Sequence, residues 1–239
     1  MPRFFVDDVL GNTTHISGDD AKHIAKSLRM KVGDTITLCD RNSIEYDCEI
    51  TEIDAAIKLN VLSSKPCERE PKTKITLFQA MPKSDKMDFI VQKAVELGVD
   101  TIYPIITSRC ISRPDPKKQV SKIARYNKVA IEAAKQCGRG KIPRVADFIS
   151  YNDCLDLTEN FDTSLLFYEL GGEQINSLIS EDEKDIAIII GSEGGFSETE
   201  VSDAIKKGIK VASLGKIILR CETAPIVALS ILMNITKNI

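Results

Sequence analysis

Residues 186–196 constrain the fold of this 239-residue chain more than any other stretch. They read IAIIIGSEGGF, an apolar run that breaks into a glycine-rich loop. Consecutive branched apolar residues predict a strand covered on both faces, as in a parallel sheet. Ser197 and Glu200 fit a capping box that begins the next helix. The stretch therefore predicts a strand, a loop and a helix, and the loop either binds a ligand or only turns the chain.

A second loop of similar character follows later in the chain. Residues 214–224 read LGKIILRCETA and follow another apolar stretch, residues 209–212. The glycines of both loops bring backbone amides close to a ligand without side chains in the way. The first loop has the spacing G-x-x-G-G, which matches neither the dinucleotide fingerprint nor a P-loop. Both loops are predicted to follow strand ends, where parallel sheets bind ligands.

Two helical segments join these loops to form a recognisable set. EAAKQCGR covers residues 132–139 and QKAVELGV covers residues 92–99. Together the four segments closely resemble the bacterial 16S ribosomal RNA uridine-N3 methyltransferases, which belong to the SPOUT class. The resemblance runs from PRFFV at residues 2–6 through HIAKSLRMKVGD at residues 23–34 to the C-terminal helix.

This resemblance implies both a fold and an activity. The fold is α/β, with a SPOUT-type parallel sheet and a C-terminal trefoil knot over residues 72–239, and a small PUA-like RNA-binding β domain over residues 1–68. The activity is methylation of N3 of a uridine in 16S ribosomal RNA of the small subunit, with S-adenosylmethionine as methyl donor and no metal. The chain departs from the family pattern at Ser192, which replaces a proline, and at Lys216 and Ile217, which replace Pro-Arg.

The pattern along the chain is consistent with two domains. Alternating apolar residues at 35–39, 44–50 and 57–61 predict a half-buried antiparallel sheet, preceded by a short helix that Ser17 begins and that buries Ala21, Ile24, Ala25 and Leu28. Residues 65–72, KPCEREPK, are typical of a linker. Strands then alternate with helices, with strands at residues 75–81, 99–107, 164–170, 186–190 and 209–212.

Three helices of this second region carry sequence signals of their own. We expect Ser84 to cap the first and Gly98 to end it, while residues 120–137 form a long one. Pro225 falls in the first turn of the last helix, whose body is apolar on most faces. Such a helix is either a core element or a homodimer interface in which Leu229 and Leu232 take part.

Composition narrows the class of protein further. No run of about 20 apolar residues exists, and the N-terminus lacks the pattern of a secretory signal, so a cytoplasmic protein without a membrane span is expected. Seven scattered cysteines without a C-x-x-C pair indicate reduced thiols and no metal site.

The distribution of charge favours a nucleic-acid partner. Net charge is −4 over residues 1–64, +9 over residues 65–150 and −8 over residues 151–239. Lysine excess alone is often only a solvated surface, but here arginines fall on predicted loops and helix ends. The candidate RNA-binding residues are Arg3, Arg29, Arg109, Arg113 and Arg139.

Candidate donor-binding residues come from the strand-end loops. Apolar walls and approachable backbone are what S-adenosylmethionine requires. The set is Leu170, Gly191, Glu193, Gly194, Gly195, Leu214, Gly215, Ile218 and Leu219. For any single leucine ordinary core packing is more common, but the adjacent glycines favour a donor site.

Arg220 and Glu222 are the candidate catalytic residues. Removing the N3 proton of uridine spreads negative charge onto the uracil oxygens, and a guanidinium presents two donors to such an oxygen. Glu222 or Glu193 either accepts the proton, orients Arg220 or fixes a loop. Two alternatives remain: a SPOUT methyltransferase for another RNA, and a non-catalytic RNA-binding or ribosome-assembly module.

Overall fold

The computed structural model describes residues 1–9 and 11–239 and divides them into two units. The first unit contains Met1–Glu70 and Ala134–Ile142, and the second contains Pro71–Ala133 and Pro143–Ile239. The sequence patterns give no sign that residues 134–142 return to the first unit, because this segment begins inside a continuous helical pattern.

The first unit is a five-stranded sheet with an apolar core. The three alternating stretches form its central strands, as predicted, and every strand pairing is antiparallel except that of the first and third strands. The spatial order is β1-β3-β4-β5-β2. The strands are β1 Arg3–Phe5, β2 Thr13–Ile16, β3 Thr35–Cys39, β4 Ile44–Ile53 and β5 Ile57–Pro66.

Helix α1, Gly18–Lys22, is shorter than expected and continues into a π-helical turn at His23–Ser27. Ser17 occupies the N-cap position, but its side chain makes no capping hydrogen bond. Ala21 and Ile24 are buried as predicted, whereas Leu28 is 40% exposed. The wider π turn, closed by the Leu28 amide on the His23 carbonyl at 2.9 Å, rotates later residues off the core face. The expectation that Leu28 is buried was therefore wrong.

The second unit is built on an eight-stranded sheet in which every pairing is parallel. The predicted alternation of strands and helices is confirmed. Seven strands follow the order β11-β13-β10-β12-β6-β7-β8, and β9 also pairs with β7. The strands are β6 Lys74–Ala80, β7 Thr101–Ile106, β8 Arg144–Val145, β9 Ile149–Ser150, β10 Thr163–Phe167, β11 Glu173–Gln174, β12 Asp185–Ile190 and β13 Lys210–Ser213.

Six helices connect these strands, α3 running on into the segment that returns to the first unit. They are α2 Lys86–Glu96, α3 Pro116–Cys137, α4 Tyr151–Leu157, α5 Ile175–Leu178, α6 Glu198–Lys206 and α7 Ala224–Ile235. Gly98 follows α2 with a φ of +89°, as its role in ending the helix requires. The cap at the other end was mispredicted: Asp85 holds the N-cap position of α2, and Ser84 precedes it with a φ of +56°.

Helix α7 contributes one face to the core of the second unit. Ala228, Leu229, Leu232 and Met233 are fully buried, and Pro225 lies in the first turn as predicted. Val227 and Ile231 lie on the opposite, partly exposed face. Leu229 and Leu232 are thus core residues and are not available to an interface. No helix among the described residues is long and apolar enough to cross a membrane.

Candidate active site

The glycine-rich loop leaves the sheet directly after buried strand β12. Its turn is closed by the Gly195 amide, which donates to the Ser192 carbonyl at 2.9 Å, and Gly195 has a φ of +64°. The predicted capping box is confirmed. The Ser197 hydroxyl accepts a hydrogen bond from the Glu200 amide at 3.2 Å, and the Glu200 carboxylate accepts one from the Ser197 amide at 2.8 Å.

Glu200 also ties this loop to the turn that follows β7. Its carboxylate accepts a hydrogen bond from the Ser108 amide at 2.7 Å, and the side chain is buried. Burial opposes ionisation, but hydrogen bonds from Ser108 and Ser197 outweigh it and lower the pKa of Glu200. A charged carboxylate with these partners fixes where the loop begins its helix.

A cavity of about 400 Å³ lies at the carboxyl ends of β10, β12 and β13, which are neighbours in the sheet. This position is where parallel sheets bind ligands. Most of the predicted donor-binding residues line the cavity, and the apolar Ile217 and Ile218 at its wall are 80% and 72% exposed. The predicted donor-binding residues that line it are Gly191, Glu193, Gly195, Leu214, Gly215, Ile218 and Leu219, and the predicted catalytic residue Arg220 also lines it.

Two predicted donor-binding residues do not line the cavity. Leu170 lies beyond the end of β10 and is 73% exposed. Gly194 faces away, and a Cβ at this position would lie 3.0 Å from the Cβ of Arg109. Both residues are adjacent in sequence to lining residues, but neighbouring side chains in extended or turning backbone point in different directions.

Lys86 links the two loops of the site and was not predicted. Its ammonium lies 3.0 Å from a carboxylate oxygen of Glu193 and 3.0 Å from one of Glu222. The Glu193 carboxylate also accepts a hydrogen bond from the Lys83 amide at 3.2 Å. Lys86 begins α2, just after the end of β6, so the strand-end reasoning used for the two loops points to the same edge of the sheet.

These contacts set the charge state of the linked groups. Both carboxylates raise the pKa of Lys86 above its usual range. Burial opposes ionisation of Glu193 and Glu222, yet hydrogen bonds, including those from Lys86, lower the pKa of each. Burial, together with a hydrogen bond to Glu222, raises the pKa of the Cys221 thiol to about 12. At neutral pH the two glutamates are therefore charged and ion-paired, and the thiol is protonated.

Arg220 lies on the cavity wall in a different environment. It is exposed, and within the described part of the chain its guanidinium makes no hydrogen bond or ion pair. Its own carbonyl accepts hydrogen bonds from the Thr223 and Ala224 amides at 2.9 Å, which fixes the backbone at the start of α7. The result is a cation on a fixed backbone, with its donors directed to no protein acceptor.

The five candidate RNA-binding arginines fall into two groups. Arg3 and Arg139 are 8% and 5% exposed, which does not fit the surface phosphate contact we expected. Arg29 is exposed. Arg109 is also exposed and donates to the Gly194 carbonyl at 3.0 Å. Arg113 donates to three carbonyls of residues 107–110 while remaining exposed.

The two buried arginines form ion pairs inside the first unit. Arg139 binds Glu70 through two nitrogens at 2.9 and 2.8 Å, and Arg3 pairs with Glu45. Burial opposes ionisation of both glutamates, but the arginines outweigh it and lower the pKa of each. The donors of these arginines are already used by buried carboxylates, so we place both among the structural residues of the first unit.

No group of three or more histidine, cysteine, aspartate and glutamate side chains that could hold a metal ion occurs within residues 1–9 and 11–239. The seven cysteines are free thiols.

Comparisons with known proteins agree with this architecture. The family model for the RNA methyltransferase domain matches residues 68–233. The family model for the RNA methyltransferase PUA domain matches residues 16–59. Ribosomal RNA small subunit methyltransferase E of Bacillus subtilis is 33% identical over 226 residues, covering 91% of this chain and 88% of the relative. The protein of the same name from Mesomycoplasma hyopneumoniae is 33% identical over 230 residues, covering 96% and 98%.

A solved structure extends the likeness to three dimensions. Ribosomal RNA small subunit methyltransferase E from Neisseria gonorrhoeae, bound to S-adenosyl methionine, superposes with a TM-score of 0.90 at 31% identity. The likeness covers 98% of this chain and 97% of that one.

Proposed function

The chain belongs to the RNA methyltransferase family, and from that premise we propose that it transfers the methyl group of S-adenosylmethionine to N3 of a uridine in 16S ribosomal RNA. The observation that carries the proposal is the convergence of three strand ends on one cavity that an unpaired arginine lines. The names of the relatives support the RNA substrate, and the donor in the Neisseria gonorrhoeae structure supports the cofactor.

The cavity fits this donor by size and by lining. A volume of about 400 Å³ lies within the range of small-molecule sites. Gly191 leaves little room for a side chain, since a Cβ there would lie 3.1 Å from the Cα of Gly195. Leu214, Ile218 and Leu219 would hold the donor with their side chains, and Gly191 and Gly215 with their backbone. When bound, the donor supplies an electrophilic methyl carbon on a positively charged sulfur.

Arg220 is proposed to stabilise the negative charge that develops on the uracil. The N3 proton must leave before or during transfer, and the charge then spreads to the flanking carbonyl oxygens. A guanidinium without a protein partner places donors where that charge appears. Such an interaction strengthens as the charge develops, which is the condition for raising the rate.

Glu222 and Glu193 are proposed to shape the site. Lys86 forms an ion pair with both carboxylates and helps to lower the pKa of each, so neither is a good proton acceptor at neutral pH. We assign Glu222 to holding the segment that carries Arg220 and Glu193 to holding the glycine-rich loop.

We propose that RNA binds through the small β domain, residues 1–68, and through exposed arginines of the methyltransferase domain, residues 72–239. Arg29 is exposed in the first, while Arg109 and Arg113 are exposed in the second. Arg109 contacts the glycine-rich loop itself, through the Gly194 carbonyl. A phosphate or base bound there would lie close to the reacting centre.

Three further proposals concern the oligomeric state, the knotted topology and the cellular location. We propose a homodimer formed through the partly exposed face of α7, where Val227 and Ile231 lie.

We propose that residues 214–224 pass through a loop as a trefoil knot, supported by the position of β10 and β12 between β13 and β6. A 16S RNA substrate is consistent with a cytoplasmic enzyme.

One experiment tests the activity and separates it from the alternatives. Purified protein is incubated with methyl-labelled S-adenosylmethionine and either unmodified 16S RNA, assembled small subunits or large-subunit RNA, and nucleosides are analysed after digestion. We expect 3-methyluridine in the small-subunit material. Labelling of another RNA would indicate a different substrate. Donor binding without labelling of any RNA, or RNA binding alone, would identify a non-catalytic module.

A further inference from the structure

Glu169 is a cavity carboxylate that the proposed mechanism does not use. It follows β10 by two residues, lines the same cavity as Arg220, and is exposed. Within residues 1–9 and 11–239 its carboxylate makes no hydrogen bond or ion pair. The other two glutamates at the site, Glu193 and Glu222, are both ion-paired with Lys86. Glu169 is therefore the acidic group left for a ligand.

The neighbouring loop leaves space for this carboxylate. A Cβ at Gly195 would overlap Oε1 of Glu169 and would lie 2.9 Å from Oε2. Gly195 was expected to leave space for the donor, but the carboxylate of Glu169 occupies that space. The glycine and the glutamate form one feature, in which the end of β10 reaches over the loop that follows β12.

We propose that Glu169 binds the two ribose hydroxyls of the methyl donor, an inference that rests on the proposed function. An ionised carboxylate only accepts hydrogen bonds, and its two oxygens match two adjacent hydroxyl donors. An acidic residue at a strand end beside a glycine-rich loop holds ribose in the same way in dinucleotide-binding folds. The apolar Leu214 and Leu219 elsewhere on the wall suit the adenine instead.

The test is a calorimetric titration in which both partners are changed. Wild type, Glu169→Ala and Glu169→Gln are titrated with S-adenosylmethionine, with S-adenosylhomocysteine and with the 2′-deoxy and 3′-deoxy forms of the latter. Glu169→Ala is expected to lose roughly 10- to 100-fold in affinity for both parent ligands. Each deoxy form should bind wild type with roughly tenfold lower affinity than S-adenosylhomocysteine does. In Glu169→Ala the deoxy forms and S-adenosylhomocysteine should bind with the same affinity.

Glu173→Ala is the matched control, since Glu173 is an exposed carboxylate of β11 that does not line the cavity. Thermal unfolding verifies that each variant is folded. The inference is overturned if Glu169→Ala keeps wild-type affinity, or if the deoxy penalty persists in that variant. A loss confined to S-adenosylmethionine in Glu169→Gln would instead assign the carboxylate to the positive sulfur and overturn it as well. Failure of wild type to bind either parent ligand would refute the proposed function, a distinguishable result.

Discussion

Arg139 and Arg220 each lie near glycines in the sequence, yet the structure gives them opposite environments. Arg139, in the first unit, is buried and binds both oxygens of Glu70. Arg220, in the second unit, is exposed on a cavity wall and has no side-chain partner within the described residues. The donors of a buried, ion-paired arginine are not available to RNA. An unpaired arginine can donate hydrogen bonds to a negative charge that develops during the reaction and so stabilise it. The presence or absence of an ion pair thus distinguishes the buried arginine from the one that we propose acts in the reaction.

Among changes to charged residues, breaking the buried ion pair is expected to have the largest effect on stability. Arg139→Ala leaves the Glu70 carboxylate without its cation, which should lower the free energy of unfolding by about 3–5 kcal/mol. Urea unfolding measures this change. Lys26→Ala, at an exposed position, is the control and should stay within about 0.5 kcal/mol of wild type. Equal unfolding midpoints for both variants would show that Arg139 is not structural.

Removing Lys86 turns paired carboxylates of the second unit into free ones. Lys86→Met leaves Glu193 and Glu222 with no shared cation, so we expect roughly tenfold weaker donor binding from the misplaced loops. Titration with S-adenosylmethionine measures it. Adding Glu222→Gln to Lys86→Met should recover part of the loss, because one of the unopposed charges disappears. Donor affinity equal to wild type in Lys86→Met would remove the lysine from our account of the site.

The contribution of the Arg139–Glu70 ion pair to the free energy of unfolding should fall at acidic pH. Arg139 helps to hold the pKa of Glu70 below its ordinary value of 4.5, so the stabilisation is present above that pH. It is lost as the pH falls from about 4.5 through the lowered pKa of the folded state. Urea unfolding across this range should show a steeper loss for wild type than for Arg139→Ala. Parallel curves would mean that the pair does not contribute.

Helix α7 also has a buried face and a partly exposed face. A substitution on the exposed face is expected to change stability least. Ile231→Glu lies on the partly exposed face and should leave the fold intact while shifting the proposed dimer toward monomer in light scattering. Leu229→Glu is a core change and should unfold the second unit. A monomeric wild type at micromolar concentration would contradict the dimer.

Much of the framework was predictable from local patterns. Ser197 and Glu200 are three residues apart and form the predicted capping box, and Gly98 has the positive φ expected at a helix end. Continuous apolar runs gave β12 and the parallel sheet, since burial on both faces leaves that pattern. Each of these signals acts within a few residues, where sequence spacing and spatial distance agree.

The partners of charged groups were not predictable in this way. Glu70 lies far from Arg139 in sequence, and Lys86 lies far from both Glu193 and Glu222. Only the folded chain brings such residues together. Sequence alone therefore predicted an RNA-binding surface at arginines that in fact form buried ion pairs. Leu170 was chosen where Glu169 lines the cavity, because strand direction fixes the loop but not which of its side chains points inward.

Single-turnover methylation by Arg220→Ala measures whether the unpaired arginine stabilises the charge that develops on the uracil. The assay uses saturating RNA and saturating donor, with Arg220→Lys as the variant that keeps the charge but not the paired donors. We expect the rate of Arg220→Ala to fall roughly 100-fold or more, with an unchanged thermal midpoint and unchanged donor affinity, and Arg220→Lys to lie between. A wild-type rate for Arg220→Ala would contradict the claim that this unpaired arginine stabilises the developing charge.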